Sequence, residues 1–201
     1  MNTLVLATLN HKKAKELRDL LGKVPFRVRA WSDFNGVRKV REGGRTYREN
    51  AVKKARAAAK ATGFWTLADD SGLEVEALGG RPGVRTARFA RKRKGITQDE
   101  SNNRKLLKVL RGARAARRAA RFRCVIAVVS PQGMLFVSEG VLKGRIAEAP
   151  RGRSGFGYDP VFLVPGYGKT VAQLGKQVKR RISHRAKAVR KARRWLMRTI
   201  T

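Results

Sequence analysis

From Ala68 to Gly83 the chain reads ADDSGLEVEALGGRPG, and with Thr66 and Leu67 in front of it the run TLADD predicts a strand whose C-terminal end delivers two aspartates. In open α/β sheets ligands gather at the carboxyl ends of strands, so the stretch sets an expected fold class and an expected site together. Composition sets it apart. The chain carries 48 Lys and Arg against 14 Asp and Glu, a formal charge of +34. Yet Asp69, Asp70, Glu74 and Glu76 fall within eight residues, and no basic side chain occurs between Lys60 and Arg81. A site that holds a divalent cation or moves a proton accounts for such a gap, because a neighbouring Lys or Arg would compete for the carboxylates. A strand and turn with solvated acids accounts for the same residues. By spacing, Glu74 and Glu76 share one strand face and read as structural or supporting.

Upstream, LVLAT at Leu4–Thr8 is a short buried strand, followed by NHKKAKELRDLLG, where Ala14, Leu17 and Leu20 or Leu21 mark one helical face and Gly22 the stop. Thr8, Asn10 and Lys13 then lie at a helix N-terminus, where backbone N–H groups and the helix dipole favour a phosphate. Asn10 serves equally well as a helix cap. FRVRAW alternates like a half-exposed strand, residues 36–45 form a loop whose one acid is Glu42, and TYRE at Thr46–Glu49 opens a helix with Ala51, Val52, Ala55, Ala58 and Ala59 inward.

Downstream, TQDE at Thr97–Glu100 opens another helix through Leu110, and the small, basic run Arg111–Arg121 reads as a solvated connector or helix end. FRCVIAVVS and MLFVSEGVLKGRIA, separated by PQG, form a hairpin. A Gly-rich aromatic loop, RGRSGFGYDP, leads into a strand, and Ser183 caps a closing helix with Ala186, Val189, Ala192 and Leu196 at core spacing. The expected architecture is mixed α/β over residues 1–201, one domain or two closely joined lobes.

The 201 residues are enough to bury a sizeable core, and a 42% apolar fraction excludes wholesale disorder. No apolar run reaches bilayer length, so no membrane span is expected. Cys124 is the only cysteine, which excludes intrachain disulfides and a cysteine zinc site and sets a cytoplasmic, reduced location as the expectation. The charge, with a pI near 11.8, predicts salt-sensitive, nonspecific attraction to RNA and DNA. Its spread over nearly every helix, without interleaved aromatics, favours an enzyme with a basic surface over a dedicated nucleic-acid binder. A polyanion-binding or packaging protein with reduced catalysis is the alternative.

The histidines are only His11 and His184, no G-x-S-x-G occurs, and GYGKT at Gly166–Thr170 lacks the first half of a phosphate-binding P-loop. What remains is a carboxylate pair, a strand–helix phosphate site, an aromatic Gly-rich loop and a late group of Lys179, His184 and Arg185. Together they suit metal-assisted attack of water on a nucleotide phosphate.

Seven motifs occur in one order: TLNHKK, EGGRTYRENAVKKA, LADDSGLEVEALGGRPGVRTARFA, RFRCVIAV, GRSGFGYDPVF, GKTVAQL and ISHRAKA. In these the chain resembles the inosine triphosphate pyrophosphatase (Ham1/RdgB-like) family over nearly its full length. The resemblance implies an elongated mixed sheet with flanking helices, two lobes around a nucleotide cleft, and a homodimer. It implies Mg²⁺-dependent cleavage of the purine nucleoside triphosphates ITP, dITP and XTP to the monophosphate and pyrophosphate. Carried over, Thr8, Asn10 and Lys13 match the triphosphate contacts. Asp70 matches the general base and metal-linked carboxylate, and Ser71 an adjacent substrate contact. Phe156, Gly157, Tyr158 and Asp159 match the loop that stacks on and reads the base, while Lys179, His184 and Arg185 match the group that recognises its 6-oxo side. The family often has two acids before the loop glycine, the first a metal ligand. Here the pair is Arg41–Glu42, so either Glu42 takes over the ligand role beside Asp70 or metal binding is weakened at this corner. After the PG the family's Tyr-Ser-Ala-Arg-Tyr is replaced by Arg85, Thr86, Ala87, Arg88 and Phe89.

Overall fold

In the computed structural model, residues 2–35 and 40–200 are described. Residues 36–39 of the expected 36–45 loop lie outside them, and 40–45 carries no helix or strand.

Strand β1 (Thr3–Leu6) is short and buried, and helix α1 (His11–Leu21) starts where Asn10 accepts a hydrogen bond from the Lys13 N–H. Gly22 ends α1 at φ +63°, a conformation glycine adopts without strain. Strand β2 (Arg27–Ala30) pairs parallel with β1, and so does β3 (Trp65–Val75), with Leu6 opposite Leu67. Parallel pairing needs crossovers, supplied by α1 and by α2 (Tyr47–Thr62), which Thr46 caps by accepting from the Glu49 N–H. Helix α3 (Gln98–Val109) follows, then β4 (Ala119–Val129) and β5 (Leu135–Ile146), turned through a Ser130 N–H to Met134 carbonyl bond. Strands β6 (Phe162–Val164) and β7 (Lys169–Thr170) continue antiparallel, and α4 (Gly175–Ile182) and α5 (His184–Thr199) close the chain. The strands form one seven-stranded mixed sheet in the order β2-β1-β3-β4-β5-β6-β7.

The chain divides into two compact units. The first takes residues up to 70, 124–140 and from 184 onward, and the second takes 71–123 and 141–183. Leu4, Leu6, Leu17, Leu67, Ile126, Val189 and Leu196 form the first core. Trp195 stacks on Phe136 at 4.7 Å and meets Trp65 edge-on at 5.9 Å at its side. Leu73, Val75, Leu106, Leu110 and Val161 form the second core around a Phe122–Phe162 stack at 4.3 Å.

Three local expectations are corrected. The strand bearing the aspartates does not end at Asp70 but runs on to Val75, because Leu73 and Val75 are buried in the second core and Ser71 and Gly72 are buried along the way. Glu74 and Glu76 therefore share no strand face. Glu74 pairs with Arg121 at 2.5 Å, whereas Glu76 begins a short 3₁₀ turn over Glu76–Leu78. Finally, the basic run after α3 is not simply solvated. Arg118 is buried and donates to the carbonyls of Leu110, Ala113 and Ala147, which satisfies carbonyls at the end of α3.

Candidate active site

Successive residues of a strand point to opposite faces of the sheet, and that alternation separates the two aspartates. Asp69 turns toward α1 and α5. Its Oδ2 lies 3.1 Å from Lys13 Nζ and accepts from Arg185 Nε and a terminal guanidinium nitrogen at 3.3 Å each. Arg185 also donates to Glu16 at 2.7 Å. Asp69 and Arg185 are both buried. Burial alone would raise the Asp69 pKa, but Lys13, Arg185 and Lys54 together hold it well below the usual carboxylate range.

Asp70 turns the other way, toward α2. Its Oδ2 accepts from Asn50 Nδ2 at 3.1 Å, and its Oδ1 lies 3.6 Å from Lys54 Nζ. Asn50 and Lys54 are four residues apart, hence on one face of α2. Lys54 Nζ also donates to Glu42 at 2.9 Å and to the Asp69 carbonyl at 2.5 Å. Burial raises the Asp70 pKa, with the charges of Glu42 and Asp69 adding to it, and the nearby Lys54 and Lys13 do not cancel the effect. Burial pulls Lys54 down, but Asp69, Asp70 and Glu42 outweigh it and leave the ammonium harder to deprotonate than usual.

Thr8 Oγ1 accepts from the Asn10 N–H at 3.2 Å and Asn10 Oδ1 from the Lys13 N–H at 3.1 Å, so the Asn10 oxygen serves as the helix cap. Ser71 follows Asp70 along β3 and is buried, and His184 is buried at the start of α5.

The second unit holds a separate group. Lys179 Nζ donates to Asp159 Oδ2 at 2.7 Å and lies 4.8 Å from the centre of the half-buried Phe156 ring. The same Asp159 oxygen accepts from the Phe156 N–H at 3.0 Å. Gly157 is bonded to two residues of α3: its N–H to Asp99 at 2.8 Å and its carbonyl to Asn103 at 3.0 Å. Tyr158 is buried in the second core and donates its hydroxyl to the Thr86 carbonyl at 2.9 Å, so its ring packs as an anchor for the loop. Burial pushes its phenol above the ordinary value.

Of the residues expected from sequence, Thr8, Asn10, Lys13, Asp70, Glu42, His184 and Arg185 belong to the first unit, and Phe156, Gly157, Tyr158, Asp159 and Lys179 to the second. Sequence reasoning missed Asn50, Lys54 and Glu16. The signal was present in the first two: polar residues spaced 50/54 along the alanine-rich face of α2.

The donor set suits Mg²⁺. Glu42 and Asp70 offer two hard oxygen donors, each ion-paired to the same Lys54. Among the described residues no cluster of three or more His, Cys, Asp or Glu could hold a metal unaided. Mg²⁺ characteristically takes one or two carboxylates and completes its shell with water and substrate phosphates.

Comparison with known proteins identifies the family of the chain. The family model described as Ham1 family matches residues 4–195. A dITP/XTP pyrophosphatase of Desulforamulus reducens is 50% identical over 189 residues, covering 94% of this chain and 92% of its own. The dITP/XTP pyrophosphatase of Bacillus subtilis is 43% identical over 191 residues, covering 95% of each. The solved structure of a HAM1 protein from Coxiella burnetii superposes with a TM-score of 0.88 at 40% identity, covering 99% of this chain and all of the other.

Proposed function

The chain belongs to the Ham1 family, and from that premise we propose that it is a nucleoside triphosphate pyrophosphohydrolase. It cleaves dITP, ITP and XTP to the monophosphate and pyrophosphate with Mg²⁺ as cofactor. The observation that carries the reading is the split of Asp69 and Asp70 between two sets of cations. Lys13 and Arg185 hold Asp69 well below the usual carboxylate range, while burial raises the proton affinity of Asp70.

The residues divide the work as follows. Asp70 accepts the proton of the attacking water as its oxygen bonds to the α-phosphorus. The bond from that phosphorus to the bridging oxygen breaks, and pyrophosphate leaves with the electron pair. A base with a raised pKa is better matched to this task near neutral pH. Lys13 and Lys54 offset phosphate charge, and Asp69 holds Lys13 in place. Glu42 and Asp70 would hold the Mg²⁺, which supplies charge neutralisation at the phosphate oxygens. Phe156 stacks on the base. Lys179, His184 and Arg185 donate toward its 6-oxo side, a pattern that leaves an adenine amino group facing donors. The bonds from Arg185 to Asp69 and Glu16 hold its guanidinium in one orientation. The family resemblance also supports a homodimer and a cytoplasmic setting, and no helix of the described residues is long and apolar enough to cross a membrane. The +34 charge supports nonspecific RNA and DNA binding beside the catalytic activity.

The test is pyrophosphate release from ITP, XTP, ATP and GTP, with Mg²⁺ and with EDTA. ITP and XTP are expected to turn over only with Mg²⁺, at least about a hundredfold faster than ATP. Asp70→Asn is expected to lower kcat by about a hundredfold or more. Turnover of ITP that survives Asp70→Asn unchanged would remove Asp70 from the reaction.

A further inference from the structure

Gly157 is held at both of its backbone polar groups by one helix. Asp99 Oδ2 accepts its N–H at 2.8 Å, and Asn103 Nδ2 donates to its carbonyl at 3.0 Å. Asp99 and Asn103 stand four residues apart on α3, so a rigid face presents one acceptor and one donor to a single loop residue. Gly157 sits at φ +64°, in the left-handed region that glycine favours. The residue before it is Phe156, whose own N–H is bonded to Asp159. The backbone that carries the Phe156 ring is therefore fixed on both sides, by Asp159 before the turn and by α3 after it. A loop ordered in advance avoids the entropy that a free aromatic loop would lose on binding a planar ligand.

We propose that Asp99 and Asn103 are positioning residues for base recognition. By clamping Gly157 they hold the Phe156 ring in the orientation that stacks on the purine. This rests on the proposed role of the Phe156 loop, and it adds α3 as the element that sets base affinity. Neither residue touches the reacting phosphates in this account, so their loss falls on KM and leaves the chemical step alone.

The clamp has a polarity that isosteric exchanges can read. Asp99→Asn keeps an acceptor oxygen for the Gly157 N–H. Asn103→Asp puts an acceptor against the Gly157 carbonyl oxygen. The experiment measures kcat and KM for Mg-ITP, with thermal unfolding midpoints, for Asp99→Ala, Asp99→Asn, Asn103→Ala, Asn103→Asp, Phe156→Ala and the double variant Asp99→Ala/Phe156→Ala. Asp99→Ala and Asn103→Ala are expected to raise KM about five- to tenfold, with kcat within about twofold of the parent. Asp99→Asn stays near the parent, and Asn103→Asp is at least as damaging as Asn103→Ala despite its matching shape. With Phe156 already removed, Asp99→Ala raises KM no further, while its effect on the unfolding midpoint persists. A role in stability alone would give the reverse: Asn103→Asp milder than Asn103→Ala, and KM effects that add. Either result overturns the proposal. If Phe156→Ala raises KM but the Asp99 and Asn103 variants do not, the clamp fails while the role of the loop stands. If Phe156→Ala leaves KM unchanged, the base-loop reading fails and the clamp falls with it.

Discussion

Asp69 and Asp70 are chemically identical neighbours, and the pleat of β3 gives them opposite fates. Asp69 is a buried anion with a depressed pKa. A carboxyl of this kind stabilises the fold above its unfolded pKa, about 3.9, and that contribution disappears as pH falls through the lower folded value. Asp69→Asn takes the carboxylate from Lys13 and one of two from Arg185, which keeps Glu16, and should cost about 3 kcal/mol or more at pH 7. The gap between parent and variant in urea unfolding should narrow steadily as pH is taken below 4. A gap that stays constant down to pH 2 would show that the Asp69 charge does not supply the stability. Asp70 has the contrary sign. Its folded pKa is raised, so its ionised form opposes folding above that pKa. Asp70→Asn should unfold at or above the parent temperature at pH 7 while losing turnover, and a marked drop in that midpoint would contradict the origin assigned to the shift. The motif ADDSG made both residues visible in the sequence. It could not show which of them met which cation, because that depends on contacts that α1, α2 and α5 make only in the folded chain.

At the scale of elements, the periodic segments were legible and the junctions were not. Strand β1, helices α1, α2 and α3, and the β4–β5 hairpin follow from apolar spacing and from caps at Asn10, Thr46 and Thr97. The continuation of β3 past Ser71 and Gly72 was hidden because both residues read as breakers, and only burial of Leu73 and Val75 in a second core overrides them. Arg118 was hidden because its partners are three backbone carbonyls that no side-chain pattern announces. The approach of β5 to α5 also depends on a residue with no pattern. A Cβ on Gly140 would collide with the His184 carbonyl oxygen and come within 2.7 Å of the Ala188 nitrogen. Backbone at a helix start cannot move aside without displacing Arg185 from Asp69. Gly140→Ala should therefore lower stability by about 1–3 kcal/mol and reduce ITP turnover with it. Gly43→Ala, whose Cβ would meet nothing within 4 Å, serves as the matched control. Equal thermal midpoints for the two variants would remove the close packing of β5 on α5 as a constraint.

Across the whole molecule, the acid-rich stretch is part of a general pattern in which most acids hold something. At least ten of the fourteen accept a bond that fixes a turn, a cap or a site, from Asp33 on the Ala30 N–H to Glu49 on the Arg45 N–H and Asp159 on Lys179. Among the basic residues Lys13, Lys54, Arg118, Lys179 and Arg185 are held in the same way, whereas many others are exposed. From Pro160 to Thr201 the sequence holds twelve Lys and Arg and no acid at all. Within that segment α5 keeps Ala188, Val189, Ala192 and Leu196 in the core while Lys187, Arg190, Arg194 and Arg198 are exposed. With its apolar side already buried, α5 has no face to insert into a bilayer, which favours a soluble polyanion as partner. Association with RNA should then be dominated by counterion release. For about seven phosphate contacts to a single strand, affinity falls by about a thousandfold between 50 and 200 mM salt. Fluorescence anisotropy of a labelled single-stranded RNA across that range reads the slope directly. Binding carried by the surface charge would leave the carboxylate site free, so saturating Mg-ITP should leave most of the RNA bound and RNA should leave kcat for ITP nearly unchanged at 200 mM salt. Binding that is flat with salt, or RNA fully displaced by ITP, would place the polyanion in the nucleotide site and leave the surface charge without this role.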